Sequence, residues 1–504
     1  MTAEADREPV IVGWAQLSDH GGGESEPMPD AMLASAARSA LERSGAGDAL
    51  LTELGAIAVV ESASWPVPDP ARLLAAAIGA GAAGDGSGVE TVRSTTSGCS
   101  PIELLADSCR RISAGELETT LVGGVECFDV LLRAMKAGTD PGFPSQPDGT
   151  KPDRIVGAET APSHPVEIAA GLIAPVAYYP LFESVLRAGA GRSPEQHRSY
   201  LGSLWARFAA VAAENPDAWN RDAPDAARIA TATPDNRQVS IPYTKLMNSN
   251  IQTNQAAVLV VCSRAAAERA GIPASSQVAV RATATASDHN FVASRPELAR
   301  SPALAACAGA ALGHAGLGIG EVEHLDIYSC FPSAVQAASR ELGLDPLDPE
   351  RSPTVTGGLS FAGGPGSNYV NHSLAALSER VADGGGNGLA TAVGWYLTKH
   401  GVAILAPAGE PGHGYAHFSP QTEIDAGPQL EIVAPPDSGT APVEAYTAIC
   451  DRSGDAELGI ATFLVDGGRT VAKADDPASL RALAERDCAG AEATFTGEGR
   501  FQLA

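Results

Sequence analysis

Two passages of this chain repeat one order of elements, and that repetition narrows the possible folds more than any other feature. Residues 37–60, ARSALERSGAGDALLTELGAIAVV, and residues 303–330, ALAACAGAALGHAGLGIGEVEHLDIYSC, both run helix, glycine-containing turn, acidic linker, apolar strand. A weak duplication of this kind points to two fused copies of one β/α unit; chance similarity between two such units is the alternative. A chain of 504 residues exceeds one ordinary core, so two or three domains are expected.

The first copy is expected to begin with a strand at Val10–Trp14. An amphipathic helix follows at Pro29–Ser44, with Met32, Ala36, Ala40 and Leu41 on one face, and then a buried strand at Leu54–Glu61. The second has a helix at Ala303–Gly313 and a strand at His324–Ser329. Between them, Phe128–Val239 is irregular and holds DPGFPSQPDGTKPD, a run of turn formers. It also holds His164–Ser184, apolar almost all round and so a buried helical stretch, and the amphipathic helix His197–Glu214, which stops at Asn215–Pro216. A long insertion between similar halves often covers a site.

Past Ala406 the texture changes. Pro407–Pro436 reads as a linker. Alternating strands follow at Val443–Cys450, Leu458–Val465 and Arg469–Lys473, with a turn at Asp466–Gly468, a helix at Pro477–Glu485 and a strand at Glu492–Phe495. The expected organisation is an N-terminal half (1–127 with 236–262), an insertion (128–235), a C-terminal half (263–406), and a linker with a small β-barrel-like module (407–504).

The formal charge of -26 argues against nucleic-acid binding, since a large acidic excess repels phosphate backbones and the only adjacent basic pair is Arg110–Arg111. A mean hydropathy of -0.01 describes a soluble protein. No apolar run is long enough to span a membrane, and the acidic N-terminus lacks the marks of a signal peptide. Eight scattered cysteines without a CxxC pair indicate neither a zinc site nor a disulfide framework, and no His or Cys pair has metal-ligand spacing. A reducing cytoplasm fits.

Three stretches carry the chemistry: Thr95–Cys127, His324–Ala334 (HLDIYSCFPSA) and Gly357–Ser373 (GGLSFAGGPGSNYVNHS). They resemble the active-site loops of the thiolase superfamily. With HPVEIAAGLI at His164–Ile173 and PYTKLMNSN at Pro242–Asn250, the chain more narrowly resembles thiolase-like proteins with an extra C-terminal domain of OB-like kind. The resemblance covers nearly the whole chain. It implies an α/β thiolase fold, two βαβαβαββ halves in five layers α/β/α/β/α with a loop domain and a β-rich module. It also implies an acyltransferase of the acetyl-CoA acetyltransferase kind, acting on a CoA thioester with no further cofactor. As alternatives it leaves a tyrosine-based aldolase on β-hydroxyacyl-CoA, or a catalytically silent acyl-CoA-binding or interaction protein. Partners would be acyl-CoA or CoA, and a homodimer, or a partner protein on the C-terminal module, is expected.

The reactive residues depart from the family pattern. Cys99 precedes Ser100–Pro101 at a helix start, where the helix dipole lowers a thiol pKa and favours an acyl-accepting thiolate. Aligning Gly123–Gly124 and Glu126 with the family's GG-x-E puts Gly98 in the nucleophile slot, one place before Cys99, so an inert buried thiol is the competing reading. Tyr328 stands where the family offers Asn or His, and a phenol can donate to a carbonyl or enolate oxygen; a core tyrosine is its plain alternative. Cys330 is read as packing. Gly364 replaces the family's GHP histidine. His372 is then a candidate base or a helix cap, and Gly357, Gly358, Gly363 and Gly364 a loop whose backbone N–H groups hold substrate. Asn248 and Asn250 are candidate binding residues beside the pocket. The family's C-x-G cysteine has no counterpart in Val393–Gly401, where His400 reads as a solvated loop residue. His289 reads as a loop residue.

Overall fold

The computed structural model describes residues 6–22, 26–409 and 414–503. Residues 410–413 of the expected linker lie outside this range.

The N-terminal half runs β1 (Pro9–Ser18), α1 (Pro29–Arg43), β2 (Ala56–Val59), α2 (Pro70–Ile78), β3 (Glu90–Ser94), α3 (Ser100–Ala114) and β4 (Thr119–Cys127). The insertion contributes α4 (Pro175–Gly189) and α5 (Pro194–Glu214), and the chain returns as β5 (Asn254–Ser263). Its strands lie in the order β3–β2–β4–β5–β1, parallel from β3 to β4 and antiparallel thereafter. The C-terminal half runs β6 (Val278–Ser287), α6 (Pro302–Ala315), β7 (His324–Asp326), α7 (Pro332–Leu342), α8 (Tyr369–Gly384), β8 (Gly388–Gly394) and β9 (Lys399–Pro407). Its strand order is β7–β8–β9–β6. The two half-sheets meet where Val10 and Ile11 of β1 pair with Ala279 and Val278 of β6. Helix–turn–strand recurs in both halves, but the second forms no strand between α7 and α8.

Strands such as β5 (NQAAVLVVCS) are buried on both faces, so helices must cover each side. Helix α1 packs outside the first half-sheet and α6 outside the second, while α3 and α8 each touch strands of both. That is the α/β/α/β/α layering of the thiolase-like fold, and its central layer places the N-terminus of α3 beside the loops that follow β7 and α7.

The stretch His164–Ser184 is not one buried helix. It breaks at Gly171 (φ 97°) and restarts at Pro175, leaving Ile168 and Ile173 49% and 67% exposed.

The C-terminal module has β10 (Gly439–Cys450), β11 (Ala456–Val465), β12 (Gly468–Ala474), α9 (Pro477–Glu485), β13 (Glu492–Gly497) and β14 (Arg500–Leu503). The ladder β11–β12–β14–β13–β10 closes through β10–β11 into a small barrel. Two short strands extend it, Gln238–Ser240 and Tyr243–Thr244, which were expected with the N-terminal half. The barrel is also keyed into the body by Arg469. This fully buried guanidinium donates to both oxygens of Glu444 and to the carbonyls of Ala293, Arg295 and Pro296.

Candidate functional site

A cleft of 570 Å³ opens where the three loops converge, lined among others by Gly98, Tyr179, Asn248, Tyr328, Cys330, Gly364 and Trp395. Helix α3 points its first turn at this region. Its start follows from Pro101 in the first turn, and it ends at Gly115 in a left-handed cap (φ 75°). Behind the floor, Glu126 accepts from the backbone N–H of Ala63 (2.9 Å) and Ser64 (2.8 Å) and from the Ser62 hydroxyl (2.9 Å). These bonds fix the segment that brings Ala63 to the cleft.

Gly98 decides what this centre can do. A Cβ at that position would stand 2.1 Å from the Val393 carbonyl oxygen and 2.7 Å from the Tyr328 hydroxyl. The nucleophile slot therefore has no room for a side chain, and the phenol of Tyr328 fills the space one would take. Cys99, one residue on, turns into the core: it is 1% exposed and does not line the cleft. Burial pushes its thiol well above the usual range, Glu103 adds to the rise, and Lys399 only partly opposes it. The helix-start geometry expected from sequence is present, but desolvation outweighs it.

Tyr328 lines the cleft at 7% exposure. Its backbone N–H donates to Thr391 Oγ1 at 2.8 Å, and its ring meets Tyr369 edge-on at 5.6 Å. Tyr369 in turn donates to Asp326 at 3.0 Å. Asp326 is a fully buried carboxylate that also accepts from Thr354, Thr356 and Ser373 side chains and from the Val355 and Thr356 N–H groups. The phenol hydroxyl of Tyr328 makes no hydrogen bond to another described residue. Burial, with Cys330 and Cys99 adding smaller contributions, raises its pKa well above the phenol range, so it is a donor and not a base.

Cys330 lines the cleft rather than packing away from it, on the same wall as Tyr328. Burial pushes its thiol up to about 12. His372 is not in the cleft. It lies within α8, Nδ1 3.0 Å from Gln16 Oε1 and Nε2 buried without a partner. Burial depresses it to about 3. His400 is not solvated either; it is 1% exposed on β9, Nε2 3.1 Å from the Leu397 carbonyl and 3.2 Å from Asp288.

The glycine loop is mostly committed to packing. Gly357 and Gly358 abut Ala212 and Phe208, and Gly363 abuts Gln255. Gly364 lines the cleft, but its N–H donates to the Asn250 carbonyl (2.8 Å) and that of Gly366 to Gly364 (2.7 Å), so those amides form no oxyanion hole. Asn248 reaches the wall: Nδ2 donates to the Thr244 carbonyl (2.7 Å) and Oδ1 is left without a partner. Asn250 holds the loop through its backbone and does not line the cleft. Sequence reasoning missed Tyr179 and Trp395. Tyr179 stacks on Phe331 at 4.5 Å and donates to the Trp395 carbonyl at 2.9 Å.

Residues 420–500 match the family described as the additional C-terminal domain of thiolase-like protein type 1. The structure resembles that of a monomeric SCP2-thiolase like protein type 1 from Mycobacterium smegmatis, at 28% identity and a TM-score of 0.81, covering 99% of this chain and 100% of the other. It also resembles an acetyl-CoA acetyltransferase from Syntrophomonas wolfei, at 16% identity and a TM-score of 0.54, covering 79% of this chain and 99% of that one; this likeness bears on the fold alone. No curated protein matches the chain. The expectation of a homodimer is corrected by the first of these structures, which matches from end to end and is described as monomeric.

Proposed function

We propose that this chain, which resembles the thiolase-like proteins that carry an additional C-terminal domain, binds acyl-CoA thioesters without forming an acyl-enzyme. The observation that carries this reading is the filled slot at Gly98, where the Tyr328 hydroxyl and the Val393 carbonyl leave no space for a nucleophile. Three further facts support it. Both thiols near the centre are pushed up, Cys99 faces the core, and no imidazole lines the cleft among the described residues. Thioester exchange needs a thiolate and a proton carrier, and this cleft supplies neither from those groups. What it offers is a donor at Tyr328 and an acceptor at Asn248 Oδ1, enough to orient a carbonyl and an amide.

Calorimetric titration with acetyl-CoA and longer acyl-CoA, paired with intact-mass measurement, tests the proposal. Saturable binding without mass gain is expected. An acyl adduct on any cysteine refutes the silent reading, and absence of binding refutes the ligand. The free phenol favours one second reading, an aldolase in which Tyr328 donates to the developing enolate. Cleavage of a β-hydroxyacyl-CoA that Tyr328→Phe abolishes would establish it.

A further inference from the structure

The cleft wall holds no Lys, Arg, His, Asp or Glu among the described residues. The phosphates of a nucleotide find no counter-charge there, and a chain of formal charge -26 opposes a polyanion in general. The rim is apolar instead. Ile173 and Ile251, 67% and 51% exposed, both line the opening. Trp395 joins them, half-buried at the β8–β9 hairpin.

Trp395 is held there against its own backbone preference. It sits at φ 56° and Leu397 at φ 52°, the left-handed region that bulky residues rarely enter. Such strain persists only where neighbours fix it. Here Tyr179 donates to the Trp395 carbonyl (2.9 Å), and buried Arg295 donates to the Tyr396 carbonyl (2.8 Å) and Thr398 Oγ1 (2.7 Å). Tyr396 is stacked on Tyr178 at 3.7 Å. An indole and two isoleucines held at a cleft mouth are the features of a binding rim rather than of scattered surface residues.

Resting on the reading that the cleft takes a thioester, we infer that it selects the acyl group and not the nucleotide: a long, uncharged, apolar chain laid against Trp395, Ile173 and Ile251. The test uses the full chain with two series of butanoyl, octanoyl and dodecanoyl thioesters, one of CoA and one of N-acetylcysteamine, which has no phosphate. Affinity should rise about four-fold for each methylene that becomes buried. At each length the two series should agree within about ten-fold. Succinyl-N-acetylcysteamine, with a terminal charge, should bind more weakly than the butanoyl compound. Trp395→Gly, which adopts this φ without penalty, should weaken dodecanoyl binding about ten-fold or more and butanoyl binding by less than about three-fold. Ile173→Ser, at an exposed site, provides the same contrast should the glycine variant fail to fold. Affinity independent of chain length, or binding lost with the nucleotide, overturns this inference while acyl-CoA binding itself stands. No binding in either series, together with none by acyl-CoA, removes both.

Discussion

A single methyl group at Gly98 should destabilise the protein by about 3 kcal/mol, the upper end of the ordinary cost of overpacking. The new Cβ would stand 2.1 Å from the Val393 carbonyl oxygen, well over about 1 Å inside van der Waals contact. That oxygen belongs to β8 and cannot swing aside as a side-chain tip could. Removing the second obstacle therefore brings little relief, and Gly98→Ala combined with Tyr328→Phe should stay near the single variant. Gly189→Ala is the control: nothing lies within 4 Å of its Cβ, and it should hold or gain about 0.4–1 kcal/mol. Denaturant unfolding of the four proteins measures the differences. Gly98→Cys should be similarly weakened and should take up no acetyl group. A Gly98→Ala protein as stable as the parent, or an acylated Gly98→Cys, refutes the steric account of the lost nucleophile.

Other outcomes follow from the same geometry. Thiol alkylation of the folded protein should reach Cys330 before Cys99, and faster as pH rises, with mass mapping as the readout; equal early labelling of Cys99 contradicts its orientation. His372 is held neutral in the fold down to about 3 against an unfolded value of 6.5, so the unfolded chain takes up its proton first as pH falls. Its contribution is complete above 6.5 and is lost toward about 3, at up to roughly 1.4 kcal/mol per pH unit. His372→Asn should flatten that part of the stability–pH curve. Asp326→Asn puts an amide donor among six donors and should lose about 3 kcal/mol or more by denaturant unfolding. Arg469→Met leaves Glu444 with the Thr462 hydroxyl alone and takes the guanidinium from three carbonyls, and should cost roughly 3–5 kcal/mol, with new proteolytic cleavage between body and barrel.

Much of the scaffold was legible because burial imposes a period. Alternation in VEAYTAIC and LGIATFLV marked two barrel strands, and the apolar run at Ala56–Val59 marked a two-sided strand. The empty nucleophile slot was legible too, since an ungapped count back from Gly123 reached Gly98. Side-chain direction was not. Cys99 lies past the turn that follows β3 and Cys330 past the one that follows β7, and those turns, not any period in the sequence, set the direction of each thiol. His400 looked solvated, yet it pairs with Val393 on one side and Ala286 on the other in the interior of a sheet. The break at Gly171–Pro175 had its signals, glycine and proline, but the surrounding apolar run masked them. Strands of two and three residues at 238–244 carry no periodicity, and their partner lies some 200 positions downstream.

The anchoring of Arg469 bears on how such a protein can change over evolutionary time. A barrel that merely hung from a tether could be lost or exchanged by recombination without harm to the rest. Here its deletion would strip the loop at 293–296 of the guanidinium that binds it, and that loop carries Arg295, the support of the Trp395 hairpin. Body and barrel are thus coupled through Arg469 and Arg295, and a change at their seam is felt at the mouth of the cleft.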